Sequence, residues 1–120
     1  MTPEQAQQIA EALLARYNLH AWQALVTPVL RDDTTGAPLY GLCWHALEAI
    51  YIAEDQLHDD DETVDTILHE IAHALADTHA APNEAPHGPT FRRYFRSIRH
   101  DYNRAPIHLP QATSDTTRSI

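Results

Sequence analysis

The chain contains no lysine, so all eight of its basic residues are arginine. Its single cysteine, Cys43, excludes an internal disulfide and any zinc ribbon built on paired cysteines. Glycine occurs three times, and Met1 is the only methionine. No apolar run approaches the ~18 residues of a membrane-spanning helix. The N-terminal segment also lacks the basic-then-apolar pattern of a signal peptide. These absences predict a cytoplasmic protein with no membrane partner. Positive charge is scarce as well: 17 acidic side chains leave a formal net charge of −9. An acidic balance of that size excludes indiscriminate nucleic-acid binding.

Histidine is abundant. There are nine, more than all the basic residues together, and imidazole is a common metal ligand. With 120 residues the chain has the length of one domain. Residues 2–17 read as a helix: Thr2 caps it, Pro3 takes its first position, and Gln5 completes a capping-box spacing. Trp22–Leu30 reads as an extended segment, and Pro28 marks it as an edge strand or a strand end. RDDTTGAP at 31–38 is turn chemistry. Two short strands follow, at about Tyr40–His45 and Leu47–Ala53, positioned to pair as a hairpin. The acidic run Asp59–Glu62 then suits the start of a helix over Glu62–His79. Its apolar face is Val64, Ile67, Leu68, Ile71 and Leu75. A loop at 80–88 leads to a last helix, Pro89–Tyr102, with Phe91, Tyr94, Phe95, Ile98 and Tyr102 facing inward. The expected organisation is one domain over residues 1–104 and a polar tail over 105–120.

Within the central helix stands HEIAH, His69 to His73. Residues at i and i+4 project from one helical face about 6 Å apart along the axis. Two imidazoles there can converge on zinc, and Glu70 between them can take a proton from metal-activated water. Even with nine histidines, chance rarely produces this pattern, and still more rarely on a segment that already reads as a helix.

A catalytic zinc usually has three protein ligands and one open position. His79 has the spacing of a metzincin third ligand, but Ala76 stands where that motif needs glycine, and no methionine follows. Asp77 is two turns from His69 along a straight helix, which suits a supporting or capping role. Glu84 reads as a loop residue. His87 is the better candidate: a proline-containing loop gives it ample chain to return, Gly88 permits a tight turn, and Pro89 starts the next helix.

HEIAHAL (69–75) followed by HGPTF (87–91) resembles the SprT-like zinc metallopeptidases, the family that includes the Spartan proteases. YGLCWHALEAIYIAEDQL (40–57) is similar to that family's strand pair leading into the zinc helix, and the resemblance spans roughly residues 5–102. It implies an α+β, zincin-like minimal domain with an N-terminal helix, a small three-stranded sheet, the HExxH helix and a C-terminal helix. It implies zinc held by His69, His73 and His87, with Glu70 as general base. It also implies protein substrates, notably proteins bound on or crosslinked to DNA, and hence a role in DNA–protein crosslink repair. Many relatives add a C-terminal cysteine zinc ribbon that engages DNA; with Cys43 alone, the sequence has none.

One segment bears on DNA directly. Residues 91–104 hold Arg92, Arg93, Arg96, Arg99 and Arg104 against Asp101, a local excess of positive charge within an acidic chain. Arg92, Arg96 and Arg99 share one helical stripe, and arginine matches phosphate geometry. A solvated face that balances the acidic remainder is the simpler reading of the stripe. Two alternatives to a DNA-linked peptidase stay open: a peptidase acting on free proteins, and a zinc-stabilised regulatory module that docks on protein or DNA with little turnover. A fourth protein ligand would mark the latter.

Overall fold

A computed structural model describes residues 1–77 and 79–109. Helix α1 spans Pro3–Arg16 and opens with the expected capping box: the Gln5 N–H donates to the Thr2 hydroxyl at 3.1 Å, and the Thr2 N–H donates to the Gln5 side chain at 3.0 Å. Ala6, Ile9, Ala10, Leu13 and Leu14 form its buried stripe. Asn18, at φ 60°, turns the chain out of the helix, a conformation that asparagine tolerates better than most residues.

Strand β1 covers Gln23–Thr27 and stops before Pro28, which has no N–H to give a ladder. It is therefore shorter than the extended stretch read from sequence. The expected hairpin forms from β2, Gly41–Trp44, and β3, Ala49–Ala53, paired antiparallel. Its tight connection is a 3-10 turn at His45–Leu47, closed by Glu48 in the left-handed region at φ 49°. The sheet order is β1-β3-β2, with β1 parallel to β3. The central strand is the most buried, and Ile50 and Ile52 are almost fully enclosed. β2 lies on a sheet edge, and it packs against the next helix.

That helix, α2, spans Asp60–Asp77, so it begins and ends two residues earlier than its periodicity suggests. Asp59 explains the early start: its carboxylate accepts the Glu62 N–H at 2.9 Å, and its carbonyl accepts the Thr63 hydroxyl at 2.9 Å. Ile67, Leu68 and Ile71 are buried as expected, while Val64 and Leu75 are half-buried. Helix α3 spans Pro89–Arg104 and packs along α2, with Phe91 and Ile98 buried and Tyr94, Phe95 and Tyr102 half-buried. The Tyr17 hydroxyl donates to Asp101 at 3.0 Å and ties α1 to α3; burial, reinforced by that carboxylate, pushes the phenol up to about 12. Beyond α3, Ile107 and Leu109 still pack against the core. The remainder of the expected tail, 110–120, lies outside the described residues.

Leu13 is fully buried within the core shared by the helices and the sheet. Leu13→Ala is expected to cost about 2–5 kcal/mol of unfolding free energy, measured by urea titration. A loss below ~1 kcal/mol would mean that this part of the core collapses onto the cavity.

Candidate metal centre

The i,i+4 spacing on α2 places His69 and His73 one turn apart, with ring centroids 4.9 Å from each other. His87 arrives from the loop before α3. Its Nε2 lies 3.1 Å from Nε2 of His73 and 3.2 Å from Nε2 of His69. The three imidazoles offer ligand atoms that all fall within 4.8 Å of one another. Zinc–nitrogen bonds of ~2.0–2.1 Å in a tetrahedral site require about 3.3 Å between ligand nitrogens. The spacing of His87 to its two neighbours matches that to within a few tenths of an ångström, so the donor set fits zinc.

Phe91 lies under all three rings. Its centroid is 4.4 Å from that of His73, and 4.9 Å from those of His69 and His87. Only 5% of Phe91 is exposed, so the imidazoles rest on an apolar floor. That environment shapes their chemistry. Burial pushes His73 down to about 4, helped by the neighbouring His69 and His87, and burial likewise lowers His69. Both are therefore neutral near pH 7, the form that binds metal.

Glu70 is 6% exposed, and burial alone raises its carboxyl to about 8 in the metal-free protein. A cation held beside it would act in the opposite sense and favour the carboxylate. Strand β2 passes close to this side chain because Gly41 has no Cβ. One placed there would meet Thr66 Cγ2 at 2.8 Å and Glu70 Oε2 at 3.0 Å. A cleft of about 660 Å³ opens between β2 and these helices, lined by Gly41, Leu42, Cys43 and His45 on one side and by His69, Glu70, His73, His87 and Phe91 on the other. Burial, with Glu70 and Asp77 nearby, pushes the Cys43 thiol up to about 12, so Cys43 stays a protonated wall residue.

The other candidate ligands lie elsewhere. The His79 ring stacks on Tyr94 at 5.8 Å, because α2 ends at Asp77 and the chain turns there. Asp77 is exposed and 3.7 Å from Nε2 of His45. Glu84 hydrogen-bonds to Thr90. Among the described residues, then, no fourth side chain joins the cluster, and the closed site of a purely structural zinc is not formed.

Of the arginine stripe, Arg92, Arg96 and Arg99 are all exposed. Arg92 Nη1 donates to the carbonyl of His87 at 2.9 Å. Arg99 pairs with Asp65 at 3.1 Å and covers the Phe95 ring at 5.1 Å. Arg96 makes no ion pair among the described residues. Two residues have roles at the site that the sequence did not show. His45 sits in the hairpin turn, and with its proton on Nε2 it donates to the carbonyl of His73 at 3.1 Å. Phe91 was visible as an inward aromatic, but its contact with every imidazole depends on where the loop returns.

A family model described as the SprT-like family matches residues 10–111. The chain belongs to the SprT-like family. No curated protein and no solved structure matches it. Family membership and the histidine cluster together make it a zinc-dependent metallopeptidase with a zincin-like α+β fold and protein as its substrate. No helix among the described residues is long and apolar enough to cross a membrane.

Gly41→Ala places a methyl group against Thr66 and Glu70. The expected outcome is a stability loss of about 1–3 kcal/mol, together with reduced peptidase turnover at unchanged zinc content. Turnover equal to the parent chain would mean that Glu70 tolerates displacement from β2.

Proposed function

We propose that His69, His73 and His87 hold the zinc, that Glu70 is the general base, and that the enzyme acts in the cytoplasm on proteins bound on or crosslinked to DNA. The convergence of three Nε2 atoms beside one buried carboxylate carries the first two assignments. When bound, zinc polarises the scissile carbonyl and lowers the pKa of the attacking water. Glu70 accepts the proton of that water and passes it to the leaving amine. Its burial keeps bulk water from competing for the proton. Phe91 holds the imidazoles in place from below, and the open side of the cleft leaves room for an extended peptide.

The DNA-linked substrate class is supported by the family and by the excess of arginine on α3. Arg92, Arg96 and Arg99 form the face that would meet phosphates, with Arg96 the member least engaged within the protein. A lone reduced cysteine is consistent with the cytoplasm.

Glu70→Gln is expected to slow peptide hydrolysis by roughly 10²–10⁴-fold while zinc remains bound. His87→Ala is expected to lose zinc and His79→Ala to keep it, both read by metal analysis of the folded proteins. Full zinc content in His87→Ala, with loss in His79→Ala, would transfer the third ligand to His79.

Single-stranded DNA binding offers the separate check on substrate class. Arg96→Glu is expected to weaken it and to lower the salt slope by about one unit for one lost phosphate contact. Cleavage of free and DNA-bound protein at equal rates, with no dependence on Arg96, would favour a peptidase of free proteins.

A further inference from the structure

Of the three imidazoles, two stand on α2, and their separation is fixed by helical geometry. The third stands on a loop, so something outside the helix must set its position. Glu84 is placed to do this. Its Oε2 accepts the backbone N–H of Thr90 at 2.6 Å; its Oε1 accepts the Thr90 hydroxyl at 2.9 Å and the N–H of Ala81 at 3.2 Å. One carboxylate thus ties the start of the loop to the first turn of α3, with His87 between the two attachments.

The surrounding backbone is shaped to admit it. Gly88 occupies the N-cap position of α3 and provides no side-chain cap, so the Thr90 N–H has no partner within the helix. Glu84 takes that place from upstream, a negative group at a helix N-terminus. Gly88 is itself required for the fit. A Cβ there would come within 2.8 Å of Glu84 Cγ and 3.0 Å of Oε2. Its N–H donates to Ala85 at 2.9 Å and closes the turn that presents His87. Thr90 is 7% exposed, so the anchor on α3 is buried rather than freely rotating.

We propose that Glu84 is a positioning residue for the metal, holding the 81–90 segment in the one conformation that delivers His87 to His69 and His73. It touches neither ion nor substrate. Its contribution is the pre-organisation of a ligand that an untied loop would present only part of the time, and partners of this kind typically change metal affinity by about 10–100-fold. The inference rests on His87 being the third ligand.

Zinc affinity measured by competition with a chromophoric chelator tests it, on the full chain, in four forms: parent, Glu84→Ala, His87→Ala and the double variant. Glu84→Ala is expected to weaken zinc by about 10–100-fold in the parent and to change nothing further once His87 is gone, because the carboxylate acts through that imidazole. A role confined to capping α3 would instead lower the melting temperature of the metal-free protein and leave the zinc affinity of the folded form as in the parent. That result overturns the proposal, as does an equal loss in both backgrounds. Zinc retention by His87→Ala would overturn the ligand assignment itself, a distinguishable failure. If Glu84→Ala does not fold, Glu84→Gln carries the same cycle. It keeps an acceptor for the Thr90 N–H but turns an amide N–H toward that of Ala81, which unties the start of the loop, and a parent-like affinity in that variant overturns the proposal.

Discussion

Everything around the cleft depends on gathering four titratable groups at one point on the rim of an apolar core, with Glu70 buried, His69 and His73 half-buried and His87 exposed. Protein interiors disfavour charge, so in the metal-free chain the group is driven toward neutrality from both sides: the Glu70 carboxyl rises to about 8 and the His73 imidazole falls to about 4. The imidazoles of His69 and His73, both lowered by burial, face His87 through Nε2 and have lone pairs to offer and little to receive. A divalent cation answers both deficits, since it accepts the imidazole lone pairs and restores the carboxylate. Metal affinity and folding are thereby linked, because the same burial that creates the site also favours whatever binds it.

The elements that carry His69 and Glu70 were legible because they are local. The i,i+4 spacing, the apolar periodicity of α2 and the acidic residues at its start all act within one helix. The same holds for the capping box of α1 and the inward aromatics of α3. The start of α2 lies two residues before the one its periodicity suggests because Asp59, rather than the later acidic residues, caps it. His87 was legible through its loop and through the family likeness, whereas periodicity alone said nothing about where that loop returns.

What escaped the sequence was set by contacts between elements. The parallel pairing of β1 with β3 cannot be read from either strand, since each has the pattern of a short, partly buried strand whichever neighbour it takes. Gly41 reads as one of three glycines until α2 is seen to pass 2.8 Å from its missing Cβ. His45 had no spacing logic because its partner, the carbonyl of His73, is a backbone atom that any residue would supply. Glu84 reads from sequence only as a loop residue. Its three hydrogen bonds depend on the loop and on α3 already being in place.

The arginine stripe shows how a compositional feature divides once neighbours are known. Arg99 is matched to Asp65 on α2 and to the Phe95 ring, so much of its charge is engaged in packing α3 against the zinc helix. Arg92 holds the carbonyl of His87 and so faces the metal loop as well as solvent. A phosphate approaching this face would therefore compete with contacts that support the site. Arg96 has no such competing ion pair among the described residues, which makes it the position where nucleic-acid binding and the integrity of the metal centre can be separated experimentally. If DNA does occupy the stripe, its phosphates would lie beside the carbonyl of the third imidazole, and binding on α3 would be felt at the loop that Glu84 ties down.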